Sequence, residues 1–181
     1  MKHVVLSGPS GVGKSTIAER LIHEGICERS ISCTTRPKRG LEIEGLDYEF
    51  LTDEQFHECV KNAEFAEVEE IFGHLYGTKK KRIFEAKKPL VFVVDVDGML
   101  SLKNAQVPLI TIFILPPSLD SLRERLERRG ANSAQEIQKR IERAGYEMAK
   151  KDFYDKQVVN LDLQTCYNTV KEYILSHEKS A

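Results

Sequence analysis

The sequence predicts an α/β fold built on a parallel sheet of about five strands, on three observations. First, short apolar, β-favouring runs alternate with helical patterns along the whole chain. Second, Pro89 to Asp97 and Leu109 to Leu115 are near-continuously apolar, as strands covered on both faces by helices should be. Third, Val4-Val5-Leu6 leads through a Gly-rich loop straight into a helical pattern, which gives a strand–loop–helix start. With 181 residues, the chain is long enough to bury a core and is expected to form one unit.

Taken in order, Val4 to Leu6 is the first strand. Thr16 to Ile22 is a helix with Ile17, Leu21 and Ile22 on one face, ended by Gly25. Ser30 to Thr35 reads as one short strand, and Arg36-Pro37-Lys38-Arg39-Gly40 as a charged turn. Asp47 to Leu51 alternates like a half-exposed strand. Thr52 or Asp53 caps a helix that carries Phe56, Cys59 and Val60 toward Phe65. The acidic, polar character from about 32 to 82 marks an inserted subdomain, leaving 1–31 and 83–181 as the core. Lys79 to Lys88 reads as a charged helix stopped near Pro89. After the strands at 89–97 and 109–115, halted by Pro116-Pro117, come an arginine-rich helix (120–130) and a second helix (133–151). A last strand at 157–160 and a closing helix at 167–175 complete the pattern.

The first loop, Gly8-Pro9-Ser10-Gly11-Val12-Gly13-Lys14-Ser15 followed by Thr16, fits the phosphate-binding pattern G-x-x-x-x-G-K-[ST]. Glycines let the backbone turn its N–H groups inward around an anion. The helix N-terminus that follows favours phosphate through unpaired N–H groups and the helix dipole. Lys14 is expected to reach the β- and γ-phosphates of a nucleotide, and the Ser15 hydroxyl to hold Mg²⁺. Such a loop says only that a nucleotide binds. GTPases add D-x-x-G, which Asp95 to Gly98 satisfies, but their N-K-x-D is missing here.

Composition excludes several classes. Lys+Arg number 27 and Asp+Glu 28, so no global basic field points to nucleic acid. Cys27, Cys33, Cys59 and Cys166 show no C-x-x-C spacing and read as reduced thiols, and the histidines make no zinc-ligand pair. Lys79-Lys80-Lys81-Arg82 reads as a solvated helix start. The N-terminus is too short in apolar residues for a signal peptide, and no run is long enough to span a membrane, so a cytoplasmic protein is expected.

Within 32–82 a second set of residues reads, taken singly, as surface charges on a solvated insert and, taken together, as a second anion site. Ser32, Arg36, Arg39, Tyr48, Glu67, Tyr76 and Thr78 supply two guanidiniums and two phenols, the donors a second phosphate needs. A carboxylate such as Glu67 can accept from the adjacent N–H groups of guanine N1 and N2, whereas the lone pair of adenine N1 would be repelled.

These residues, read together, resemble the guanylate kinase family. The resemblance is carried by Ser32-Cys33-Thr34-Thr35-Arg36, Arg39, Glu42, Gly45, Asp47-Tyr48, Phe65-Ala66-Glu67 and Gly73-His74-Leu75-Tyr76-Gly77-Thr78. It continues through Asp95-Val96-Asp97, Pro116-Pro117-Ser118, Arg125 to Gly130 and Lys139-Arg140, in order over nearly the whole chain. It implies a three-layer P-loop kinase sandwich with an inserted GMP-binding subdomain (32–82) and a short helical lid at about 126–145. It also implies the reaction ATP + GMP to ADP + GDP, and dGMP as a further acceptor. On the matching positions, Arg36, Arg39, Tyr48 and Tyr76 would hold the GMP phosphate, and Ser32, Glu67, Thr78 and Asp97 would read or position guanine. Arg125, Arg129 and Arg140 would clamp the transferring phosphate, Asp95 would stand near Mg²⁺, and Asn160 would lie at the adenine site. Lys14 and Arg39 complete the expected catalytic set. The implied partners are ATP and GMP alone, without nucleic acid or membrane, on a monomer or small homo-oligomer.

The chain departs from the family pattern in its turn at Pro37 and Gly40, in Leu75, in Gly98-Met99-Leu100 and in Asn160-Leu161. Two other readings stay open at this point. One is a non-catalytic scaffold domain of the same fold; against it stand Gly13, Lys14, Ser15 and the arginines. The other is a kinase for a different small acceptor; against it stands Glu67 with Ser32.

Overall fold

The computed structural model describes residues 1–71, 73–128 and 133–178. A central parallel sheet is formed by β1 (His3–Ser7), β2 (Glu28–Arg29), β7 (Leu90–Val93), β8 (Leu109–Leu115) and β9 (Lys156–Val159), in the order β2-β7-β1-β8-β9. β1 lies in the middle, with Val4 opposite both Val91 and Ile110. Successive side chains leave a strand on opposite faces, and the two faces fill different cores. Val4, Leu6, Ile112 and Ile114 pack with α1 (Lys14–His23) and α7 (Leu163–Glu178) through Ile17, Leu21, Tyr167 and Ile174. Val5 and Phe113 face α3 (Lys80–Phe84) and α4 (Val96–Asn104), meeting Ile83, Met99 and Leu102. Apolar surface on both sides is why these strands read as unbroken apolar runs. The result is the three-layer α/β architecture the sequence predicts.

A second, four-stranded sheet is formed by β3 (Cys33–Thr34), β4 (Glu49–Phe50), β5 (Phe65–Ile71) and β6 (His74–Lys79), in the order β4-β3-β6-β5. It has a small core of its own: Phe56 of α2 (Asp53–Lys61) stacks on Phe65 with ring centroids 4.5 Å apart, beside Cys33. α2 opens with a full capping box between Thr52 and Gln55. The remaining helices, α5 (Leu119–Arg128) and α6 (Ala134–Ala149), lie between β8 and β9 in the chain, and a 3₁₀ turn at Lys151–Phe153 follows α6.

Four elements differ from the sequence reading. The strand expected at 30–35 is only Cys33–Thr34, in the second sheet: the core strand β2 ends at Arg29, the Ser30 N–H still bonds Val91 of the core sheet, and the Ser32 carbonyl already accepts from Glu49 of the other. The run at 89–97 stops as a strand at Val93, because Asp95 accepts the Gly98 N–H at 2.9 Å and caps α4 instead. The helix expected over 79–88 covers only Lys80–Phe84, where Ile83 alone is buried. The acidic β5 and its partner β6 form a hairpin that alternation did not announce.

Candidate active site

The carboxyl ends of β1 and β7 open into one cleft, the place where open α/β sheets hold ligands. β1 runs into the phosphate-binding loop. Gly8 has φ +135°, and a Cβ there would lie 2.2 Å from the Ile114 carbonyl oxygen, so only glycine lets the loop pass so close to β8. Gly13, at φ +101°, caps α1 in the left-handed conformation. Lys14 Nζ donates to the carbonyls of Gly8 (2.5 Å) and Pro9 (3.0 Å), which sets its ammonium over the loop. Ser15 and Thr16 stand exposed on the first turn of α1.

Two arginines reach the loop from the later helices. Arg140 of α6 donates to Ser10 Oγ at 2.9 Å. Arg125 of α5 donates to the Asn160 carbonyl at 3.0 Å, and the Asn160 amide in turn donates to the Val12 carbonyl at 2.7 Å. Asn160 is buried, so it braces the loop from behind. Arg129 lies outside the described residues.

Along the far wall of the cleft stands an acidic group. Gly8, Ser10, Lys14, Asp95, Glu69, Arg140, Arg143 and Glu147 line a volume of about 560 Å³. Burial beside Asp95 pushes the Glu69 carboxyl up to about 8. Asp95 itself lies below its usual range: burial works against this, but the Gly98 N–H, Glu69 and Arg143 outweigh it. Asp97, expected near guanine, sits exposed on the first turn of α4, with Lys150 Nζ 3.3 Å from its carboxylate.

The second cradle is built on the four-stranded sheet. Arg36 is 5 % exposed, and each of its nitrogens donates one bond: Nε to the Tyr76 hydroxyl (3.2 Å), Nη1 to the Pro37 carbonyl (2.9 Å) and Nη2 to Glu42 (2.7 Å). The Glu42 hydrogen bond pushes the Arg36 guanidinium up, and the same bond holds the Glu42 carboxyl down. The Tyr48 ring lies beside that guanidinium, 5.2 Å from ring centroid to carbon, and 5.9 Å from the Tyr76 ring. The other Glu42 oxygen accepts the Arg39 N–H at 2.8 Å, while the Arg39 side chain is exposed. Leu41, Ile43 and Leu46 stand exposed on the same turn.

Next to this cradle, register pairs Glu67 of β5 with Thr78 of β6. The Thr78 hydroxyl donates to Glu67 Oε1 at 2.7 Å and lies 3.1 Å from the Ser32 hydroxyl. Glu67 is buried, and burial pushes its carboxyl up. Ser32 and Tyr48 share a second hollow with Ser15 of the loop. The structure therefore brings Ser32, Glu67 and Thr78 together, and likewise Arg36, Tyr48 and Tyr76.

Sequence reasoning gave no role to Glu42, Glu69, Arg143, Glu147 or Lys150. One signal existed for three of them: 140, 143, 147 and 150 fall on one helical stripe.

A family model described as guanylate kinase matches residues 1–177. The guanylate kinase of Novosphingobium aromaticivorans is 43% identical over 180 residues, covering 97% of this chain and 81% of that protein. That of Carboxydothermus hydrogenoformans is 40% identical over 180 residues, covering 97% of this chain and 88% of its own length. The crystal structure of guanylate kinase from Anaplasma phagocytophilum superposes with a TM-score of 0.75 at 29% identity, covering 97% of this chain and 85% of that one.

Proposed function

This chain belongs to the guanylate kinase family and carries out the ATP-dependent phosphorylation of GMP to GDP, and we propose that two anion cradles facing one cleft divide the work. Residues 8–16 take the ATP phosphates, with Lys14 as their cation. Arg36, Tyr48 and Tyr76 take the GMP phosphate, and exposed Arg39 turns onto it from the same turn. Glu67, aligned by Thr78 and Ser32, accepts from guanine N1–H and N2–H; Asp97 adds a second carboxylate on that side. Residues 32–82 act as the acceptor-binding insert on a core of 1–31 and 83–181.

The obstacle to transfer is the mutual repulsion of two anions while charge builds on the moving phosphoryl group. Catalysis is then positioning plus cationic stabilisation by Lys14 and Arg140, with Arg129 and Arg125 completing the set. No general base is needed, because a nucleoside monophosphate with a second pKa near ~6 is already largely ionised at neutral pH.

Mg²⁺ fits this site on its donor chemistry: the exposed Ser15 hydroxyl at the loop and the Asp95 carboxylate lining the cleft are hard oxygen donors that would hold it, and it would supply positive charge to the phosphates. Asp95, whose two oxygens accept from the Gly98 N–H and from Arg143, would stand near the ion through water. This reading expects a cytoplasmic monomer or small homo-oligomer that takes only ATP and GMP or dGMP. Among the described residues, no helix is long and apolar enough to cross a membrane.

The observation that carries the choice of acceptor is the buried Glu67 carboxylate fixed by Thr78 in the same sheet that holds Arg36 against Tyr76. A coupled assay with ATP and GMP, dGMP, AMP or UMP tests it. GMP is expected to be preferred, with Lys14→Ala lowering kcat by roughly 10²–10³-fold in a folded protein. Preference for AMP would overturn the base assignment.

A further inference from the structure

Helix α6 turns one stripe of long polar side chains toward the cleft, and each finds a partner on a different part of the fold. Arg140 donates to Ser10 of the phosphate loop, and Lys150 to Asp97 at the start of α4. Between them lies Arg143. Its Nη2 donates to Asp95 Oδ2 at 2.6 Å, its Nε to Glu147 Oε1 at 3.2 Å, and Nη2 lies 3.8 Å from Glu69 Oε1 of β5. The other Asp95 oxygen accepts the Gly98 N–H. Asp95 is thus gripped at both oxygens, once by its own helix cap and once by α6.

An isolated exposed ion pair contributes little. This one is different: the Asp95 side chain is only 16% exposed, and the guanidinium faces three carboxyl groups from three elements. We propose that Arg143 is a positioning residue for phosphate transfer, which fixes the Asp95 carboxylate at the wall of the phosphate cleft and ties α6 to β5 at that point. The inference rests on the cleft being the site of transfer. An uncompensated carboxylate beside phosphates would repel them and turn away; held on a guanidinium, its charge is offset and its direction is set. Arginine suits the place, because its planar fork serves two acceptors at once, whereas lysine offers a point charge.

The test compares wild type, Arg143→Met and Arg143→Lys by steady-state kinetics with each substrate varied. ATP and GMP binding are measured by calorimetry without added metal, and the melting temperature of each variant is recorded. Arg143→Met is expected to lower kcat by roughly 10–100-fold while KM for GMP moves by less than about 3-fold, and Arg143→Lys, which restores the charge but not the fork, to recover only part of the loss. Without metal, the Met variant is expected to bind ATP more weakly than wild type and GMP about equally. Wild-type kcat in Arg143→Met would overturn the proposal. So would equal losses in the Met and Lys variants that track their melting temperatures. If the Met variant does not fold, Arg143→Gln takes its place, with the same expectations. A wild-type protein that fails to phosphorylate GMP in this assay would sink the parent reading instead.

Discussion

The molecule prepares for two phosphates in two different ways. The loop at 8–15 is a backbone device: left-handed glycines, the N-terminus of α1 and one lysine lying over its own carbonyls. The cradle around Arg36 is a side-chain device, in which a buried guanidinium is aimed by Glu42, Pro37 and Tyr76, groups on either side of a long excursion in sequence. A backbone device shares its atoms with the fold and cannot be altered alone. A side-chain device can lose its ligand and leave the fold standing. That difference can be tested at each end.

The largest effect is expected from Gly8→Ala. A methyl group there would meet the Ile114 carbonyl oxygen at 2.2 Å with φ at +135°, so either the loop or β8 must move. Strain and overpacking together should cost about 3 kcal/mol or more. Thermal unfolding is expected to show a lowered midpoint, with ATP binding and turnover lost together. A variant with unchanged melting temperature and no activity would break the claim that loop and fold share atoms here.

The same distinction explains what could be read from the sequence alone. Local geometry leaves local traces: the loop motif, the apolar runs of β1 and β8, and the cap at Thr52 all stand in consecutive residues. The Arg36 cradle needed the family pattern, because nothing at 36 announces residues 42, 48 and 76. The hairpin of β5 and β6 was hidden since Val68, Glu70 and Ile71 face solvent and break the alternation. α4 was hidden because Asp95 turns a strand into a helix within an apolar run, which looks continuous until the cap is seen. The bracing contact of Asn160 was hidden for a related reason: its amide donates to the Val12 carbonyl across 148 residues of chain, and nothing local marks that partner.

A smaller, more selective effect is expected from Arg36→Met, which keeps much of the apolar stem and removes the fork. Losing charged hydrogen bonds to a phosphate should weaken GMP binding by about 2–3 kcal/mol, roughly 30–150-fold. KM for ATP is expected to stay within about 2-fold of wild type, since the loop is untouched. Glu42 remains partly open to water, so the fold should survive its loss of partner. An equal rise in both KM values would show that the two cradles are not separate devices.

The smallest effect sharpens the comparison most, because it is a slope rather than a loss. Glu67 is a buried carboxyl whose pKa is raised by burial, with the Thr78 hydroxyl working the other way. In the folded chain it keeps its proton over a pH range in which the unfolded chain, with an ordinary carboxyl, has released it. The folded state then binds more protons than the unfolded one, so stability falls as pH rises from the ordinary glutamate value toward the raised one. Glu67→Gln removes that term. Melting temperatures measured from pH 4.5 upward should decline less steeply in the variant, and the variant should be the more stable protein at the top of the range. GMP should reverse the sign of the effect in wild type, since a carboxylate accepting two N–H groups must be ionised to do so. Saturating GMP should therefore stabilise wild type more at high pH than at low pH, and Glu67→Gln should lose that dependence. Parallel curves for the two proteins, with and without GMP, would mean that Glu67 is no part of the base-reading device and that the side-chain cradle ends at the phosphate.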